Sequence, residues 1–197
     1  MDKYKKIIIA THNSDKRIEM ESYLRDYDVN ILSLADFPNI GEIEETGNSL
    51  KENAFIKASE VFNITKIPTI ADDTGLEVDA LNGKPGVFSA RYAGEKATYT
   101  DNVNLLLNNL KGVNKDGRTA RFRTVISFVA SGCEYYSEGT VNGKITERIS
   151  GTDGFGYDSV FMMDESDKTF GEITKKEKLK VSHRSLALQK IVKIIFK

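Results

Sequence analysis

The chain has 197 residues, 40% hydrophobic and 29% charged with only three prolines, the make-up of one globular domain rather than a linker-rich or low-complexity chain. Its 28 Lys and Arg against 29 Asp and Glu leave a net charge of −1, which excludes strong global attraction to nucleic acid or anionic membrane and requires any phosphate-binding charge to be local. The single Cys133 excludes an internal disulfide and a cysteine-spaced zinc site. No apolar run approaches the roughly 20 residues of a membrane span, and no signal-peptide core follows Met1, so a cytoplasmic protein is expected.

Ile7-Ile8-Ile9-Ala10 is a continuous apolar run that suits a strand buried on both faces. Behind it, Thr11-His12-Asn13-Ser14-Asp15-Lys16 leads into Met20, Tyr23, Leu24 and Tyr27 at helical spacing, so the order is strand, polar loop, helix. Asn13 or Ser14 suits the cap, and a helix start that directly follows a buried strand presents N–H groups and Lys16 to an anion; an ordinary capped helix reads the same way. No GxxxxGK[ST] occurs, so this is not a P-loop.

Val29 to Leu34 reads as a second strand. Glu42, Glu44 and Glu45 then precede Thr46-Gly47, and Ser49-Leu50-Lys51-Glu52 fits a capping box for a helix to about Phe62 with Leu50, Ala54, Ala58 and Val61 as its apolar stripe. Lys57 lies two turns in, as a solvated side chain or a site cation. Pro68 to Ala71 reads as a strand that ends by delivering Asp72-Asp73 to a Thr74-Gly75 turn. Strand alternation keeps the two carboxylates from aiming at one point, and Asp73, next to the turn, is the better candidate for a site; acidic pairs of this kind commonly hold Mg²⁺, and equally often merely open a solvated loop.

Leu76, Val78 and Ala80 alternate with acids as a half-exposed strand, and Ser89-Ala90-Arg91-Tyr92 follows in a loop. Thr98 or Thr100 starts a helix through Val103, Leu106 and Leu110 that Gly112 stops. Arg118 to Ala130 and Cys133 to Val141 read as a long antiparallel pair, closed by a turn at Asn142-Gly143. In Thr152-Asp153-Gly154-Phe155-Gly156-Tyr157-Asp158 the glycines let the backbone approach a flat ring on which Phe155 or Tyr157 stacks, or simply make a tight turn. After the cationic run Lys175, Lys176, Lys178, Lys180, Ser182 suits the cap of a last helix anchored by Leu186, Leu188, Ile191, Ile194 and Ile195. His183 and Arg184 then sit in its first turn, where cations oppose the helix dipole and hint at another task.

Together, Thr11 to Lys16, Glu44-Glu45-Thr46-Gly47, Glu52-Asn53-Ala54, Ala71 to Leu76, Pro85 to Tyr92, Phe155-Gly156-Tyr157-Asp158 and Ser182-His183-Arg184 closely resemble, in order and over nearly the whole chain, the inosine triphosphate pyrophosphatase family of non-canonical purine nucleoside triphosphate pyrophosphatases. The resemblance implies an elongated two-lobed α/β fold within one domain, residues 1–197, a mixed sheet flanked by helices and a nucleotide cleft between the lobes, usually as a homodimer without nucleic-acid or membrane partners. It implies hydrolysis of ITP, dITP, XTP and dXTP to monophosphate and pyrophosphate with Mg²⁺. By position, Thr11, His12, Asn13, Ser14, Asp15 and Lys16 would hold phosphate, Lys16 and Asp73 would be catalytic, Asp73 and Glu45 would bind the metal, and Thr74 would touch substrate. Lys57 would support the phosphates; Phe155, Gly156, Tyr157, Asp158, Lys178, His183 and Arg184 would surround base and sugar. The chain departs from the common pattern at His12, where glycine is frequent, and at Thr74, where serine is usual. A septum-formation-inhibitor type of house-cleaning pyrophosphatase and a catalytically silent nucleotide-binding regulator are the competing readings.

Overall fold

In the computed structural model, which describes residues 4–196, the first apolar run is strand β1 (Lys6–Ile9), followed by helix α1 (Ser14–Leu24), β2 (Asn30–Ser33), α2 (Leu50–Thr65), β3 (Thr69–Val78), the two-residue β4 (Pro85–Gly86) and α3 (Tyr99–Asn109). The second half supplies β5 (Thr119–Ala130), β6 (Cys133–Ile145), β7 (Phe161–Met163), α4 (Lys175–Val181) and α5 (His183–Ile195). Among the described residues these make a mixed α/β fold with a seven-stranded sheet of order β2-β1-β3-β5-β6-β7, β4 pairing with β3. β1 runs parallel to β2 and β3, whereas β4 on β3 and β7 on β6 are antiparallel.

The chain divides into two units, one taking in the described residues to Asp73, 124–139 and from His183 onward, the other residues 74–123 and 140–182. In the first, both faces of the sheet are covered. Ile7, Ile9 and Ile70 pack with Met20 and Leu24 of α1 and with Ala187, Leu188 and Ile191 of α5. Ile8, Ala10 and Ala71 pack with Ala58 and Val61 of α2. The unbroken apolar β1 follows from this: each residue, whichever way it points, meets a helix, and burying one such side chain contributes about 1.5–3 kcal/mol. Gly139 closes this unit, because a Cβ there would collide with backbone of His183 and Ala187 at the start of α5.

The second unit is built on aromatic packing, with Phe161 4.6 Å from Phe122 and 5.2 Å from Phe170 between ring centroids. Arg118 pins its strands, donating to the carbonyls of Ile145 (2.8 Å), Leu110 (2.8 Å) and Thr146 (2.9 Å). Buried cations of this kind persist when carbonyls replace the lost water.

Three sequence expectations are corrected. Thr74-Gly75 is not a turn: β3 runs through Asp72, Asp73, Thr74 and Gly75 as one ten-residue strand, buried for most of its length, so tertiary cover overrides local turn chemistry. Asn142-Gly143 lies inside β6, where Gly143 pairs with Met163 and a side chain would strike the Met162 carbonyl. Of the residues named as anchors of α5, Ile194 is 41% exposed, and Val192 takes its place in the core.

Candidate active site

Because β3 continues past Asp72-Asp73, adjacent residues serve opposite faces of the sheet. Asp72 shares the side of Ile70, toward α1 and α5; Asp73 shares the side of Ala71, toward α2. One helix turn from each side then meets one carboxylate.

On the first side, Lys16 Nζ lies 3.3 Å from Asp72 Oδ2, and Arg184 donates to the same oxygen from Nη2 (3.0 Å) and Nε (3.2 Å). Arg184 also donates to Glu19, three residues beyond Lys16 on α1 and therefore on the same helix face. Asp72 and Arg184 are 0% and 1% exposed. Burial alone would push the Asp72 carboxyl up, but Lys16, Arg184 and Lys57 outweigh it and hold the group well below the usual carboxylate range. For Arg184, burial works against the charge and Asp72 and Glu19 overcome it, so the guanidinium is held above its usual value. Asp72 is thus an anion at neutral pH that fixes the position of two cations.

On the second side, the Asn53 amide donates to Asp73 Oδ2 at 3.2 Å and its oxygen accepts the Gly47 N–H at 2.8 Å. Lys57, one turn further along α2, lies 3.9 Å from Asp73 Oδ1 and donates to Glu45. Gly47 must be glycine, since a Cβ would come within 2.6 Å of Asn53 Oδ1 and Glu52 Cβ. Burial lowers the Lys57 ammonium less than Asp73, Glu45 and Asp72 raise it, so it stays charged. Asp73 behaves in the opposite way to its neighbour: burial, helped by Glu45, lifts its carboxyl above the usual range despite Lys57, Lys16 and Asn53. A carboxylate displaced in this direction is a better proton acceptor near neutrality.

The loop before α1 is organised by Asn13, whose side chain accepts from the N–H groups of Asp15 and Lys16, both at 3.0 Å. Two of the amides that suggested an anion seat are therefore occupied by the helix's own cap. Thr11 Oγ1 accepts the Asn13 N–H at 3.2 Å, Ser14 is exposed, and His12 Nε2 lies 3.1 Å from the Gly41 carbonyl.

The family model described as the Ham1 family matches residues 7–194. The chain belongs to the Ham1 family. It is 48% identical over 192 residues to a dITP/XTP pyrophosphatase of Thermoanaerobacter pseudethanolicus, covering 98% of this chain and 97% of that one. Among solved structures it is similar to a HAM1 protein from Coxiella burnetii (TM-score 0.88, 36% identity, 96% and 98% covered). It is likewise similar to the Staphylococcus aureus Ham1 protein (TM-score 0.87, 35% identity, 97% and 98% covered).

The residues to which the inosine triphosphate pyrophosphatase resemblance gives roles lie in both units. In the first, Lys16 and Arg184 meet on Asp72, and Glu45, Lys57 and Asp73 come together, with His183 buried beside Arg184. In the second unit, half-buried Thr74 continues β3, and Lys178, buried on α4, donates to Asp158 Oδ2 at 2.6 Å. The Phe155 N–H donates to the same oxygen (2.8 Å), and the Lys178 ammonium lies 4.6 Å from the Phe155 ring centroid. Gly154, at φ +73°, leaves no room for a side chain against Asp158, while Gly156 at φ +60° faces open space. Tyr157 is only 5% exposed and its hydroxyl donates to the Ser89 carbonyl at 2.9 Å; burial, then Tyr92, pushes its phenol up. Phe155 keeps the more accessible ring.

Three residues of the first unit are not assigned by the sequence. Glu52-Asn53-Ala54 gives Asn53 no role, Glu19 is signalled only by its i+3 offset from Lys16, and Asp72 ranks behind Asp73.

Proposed function

We propose that this protein is a Mg²⁺-dependent nucleoside triphosphate pyrophosphatase that hydrolyses ITP, dITP, XTP and dXTP to the monophosphate and pyrophosphate. The observation that carries the reading is Asp73: a buried carboxylate shifted upward, oriented by Asn53 and flanked by Lys57 and Glu45. In the proposed reaction a water attacks the α-phosphorus, Asp73 takes its proton, the bond from the α-phosphorus to the bridging oxygen breaks, and pyrophosphate leaves with the electron pair. Lys16 and Lys57 neutralise charge on the phosphate tail, and Asp72 keeps Lys16 in place.

The donor set fits a hard divalent cation. Glu45 and Asp73 both approach Lys57, which brings the oxygens of two carboxylates to one point. Among the described residues no group of three or more His, Cys, Asp or Glu side chains is placed as a metal cage. Two carboxylates suit Mg²⁺, which prefers one or two with water and substrate phosphate completing its shell. When bound there, the metal would neutralise developing phosphate charge.

For the base, we propose His183 and Arg184 as donors to a 6-keto oxygen, which a 6-amino group would meet as donor against donor. Phe155, Gly156, Tyr157, Asp158 and Lys178 are proposed to contact base and sugar, and Thr74 the substrate. Among the described residues no helix is long and apolar enough to cross a membrane. A homodimer is proposed from the family resemblance, with light scattering as the check on assembly; the net charge of −1 supports the absence of nucleic-acid partners, and a cytoplasmic location is kept as the default.

The deciding experiment measures pyrophosphate release from ITP, dITP, XTP, ATP, dTTP and UTP with Mg²⁺ and with a chelator. Rapid metal-dependent release from the first three supports the reading; preference for dTTP or UTP would favour the septum-formation-inhibitor type, and no release would favour a silent binder. Asp73→Asn is expected to lower kcat by at least about 100-fold with ITP binding largely kept, and retained turnover would sink the base assignment.

A further inference from the structure

Glu45 sits in a stretch without regular secondary structure, residues 37–49, between the short helical turn at Leu34–Asp36 and α2. Such a segment is placed by a few discrete ties rather than by a ladder. Ile40 and Ile43 are 7% exposed in the core beside α2, Glu45 is held by Lys57, and the N–H groups of Gly47 and Asn48 are taken by Asn53 and Glu52 (2.8 and 2.6 Å). Between the two buried isoleucines the arm is exposed at Gly41, where an added Cβ would meet nothing within 4 Å. The tie at that point comes from outside the arm. His12, in the loop that leads to Lys16, places its Nε2 3.1 Å from the Gly41 carbonyl.

From this juxtaposition we infer that His12 is a positioning residue: its imidazole latches the arm bearing Glu45 to the loop bearing Lys16, so that the carboxylate and the ammonium needed by the same triphosphate are presented together. With Nε2 protonated the ring donates to the carbonyl. The ring reaches across 29 residues of sequence to a backbone oxygen, which glycine at position 12 cannot do. This role rests on the proposed metal-assisted hydrolysis and differs from direct phosphate contact by His12, because its effect passes through Glu45. One exposed hydrogen bond of this kind shifts a loop equilibrium by a modest factor, about fivefold.

The test compares wild type, His12→Ala and His12→Gln, the glutamine amide being long enough to donate in place of Nε2. In metal-free, nucleotide-free protein, hydrogen exchange of peptides covering residues 38–48 is expected to quicken about fivefold in His12→Ala and to return toward wild type in His12→Gln. In the assay, the Mg²⁺ concentration for half-maximal rate is expected to rise about fivefold in His12→Ala, more than KM for ITP at saturating Mg²⁺, with glutamine again restoring it. Unchanged exchange overturns the latch, as does faster exchange with unchanged Mg²⁺ dependence. A rise confined to KM for ITP also overturns it, by making His12 a substrate contact. Should the protein prove not to hydrolyse nucleotides with Mg²⁺, that failure appears in wild type, whereas the exchange readout still judges the tie.

Discussion

Two buried lysines, Lys57 in one unit and Lys178 in the other, show how the same ingredients serve different ends. Lys178 meets one carboxylate, Asp158, at 2.6 Å, with the Phe155 ring beside it and the Phe155 amide on the same oxygen. This short buried pair, with the Phe155 amide on the same oxygen, ties α4 to the glycine-rich loop. Lys57 faces two carboxylates at unequal reach, Glu45 directly and Asp73 at 3.9 Å, and one of them is pushed upward. One lysine ties a loop down; the other gathers two carboxylates where a cation or a proton can be taken.

The largest effects should come from breaking either arrangement. Lys178→Met strands the Asp158 carboxylate and is expected to cost about 3–5 kcal/mol, read as a lowered denaturation midpoint that divalent salt does not restore. Lys57→Met leaves Glu45 and Asp73 facing each other, so it should destabilise metal-free protein yet regain much of the loss when Mg²⁺ is added. Equal recovery in both variants would erase the distinction.

The next effect sharpens the contrast within the acidic pair. Asp72 lies below its unfolded value of 3.8 in the folded protein, so its contribution to stability is fully present above that pH and is lost as pH falls toward the folded value. In metal-free buffer the Tm gap between wild type and Asp72→Asn should therefore be steady above about pH 5 and narrow below about pH 4. A gap that widens on acidification would reverse the sign assigned to Asp72. Smallest is Asn13→Ala, which removes the cap from two α1 amides and should cost about 1 kcal/mol in thermal unfolding.

Local signals carried well into the first unit. The apolar β1, a cap of α1 at Asn13 or Ser14 and the Ser49 cap of α2 are all legible, because each depends on neighbours a few residues apart; the structure settles the first cap on Asn13. The course of β3 through Thr74-Gly75 was not, since its strand character comes from cover on both faces rather than from its own turn-forming residues. Pairings such as Arg184 with Asp72 and Glu19 join positions 112 and 165 residues apart, and nothing in either segment marks the other. α4 reads in the sequence only as a cationic run; the placement of Asp158 shows why Lys178 turns inward, to 3% exposure.

The orientation of Asn53 has a further consequence. Its carboxamide is polarised from both ends, drawing on the Gly47 peptide dipole through oxygen and offering the strengthened N–H to Asp73. A leucine of similar volume would sever that relay at both ends together, loosening the segment at Gly47 while lifting the Asp73 carboxyl still higher. One side chain thus couples the shape of that segment to the basicity of a buried acid.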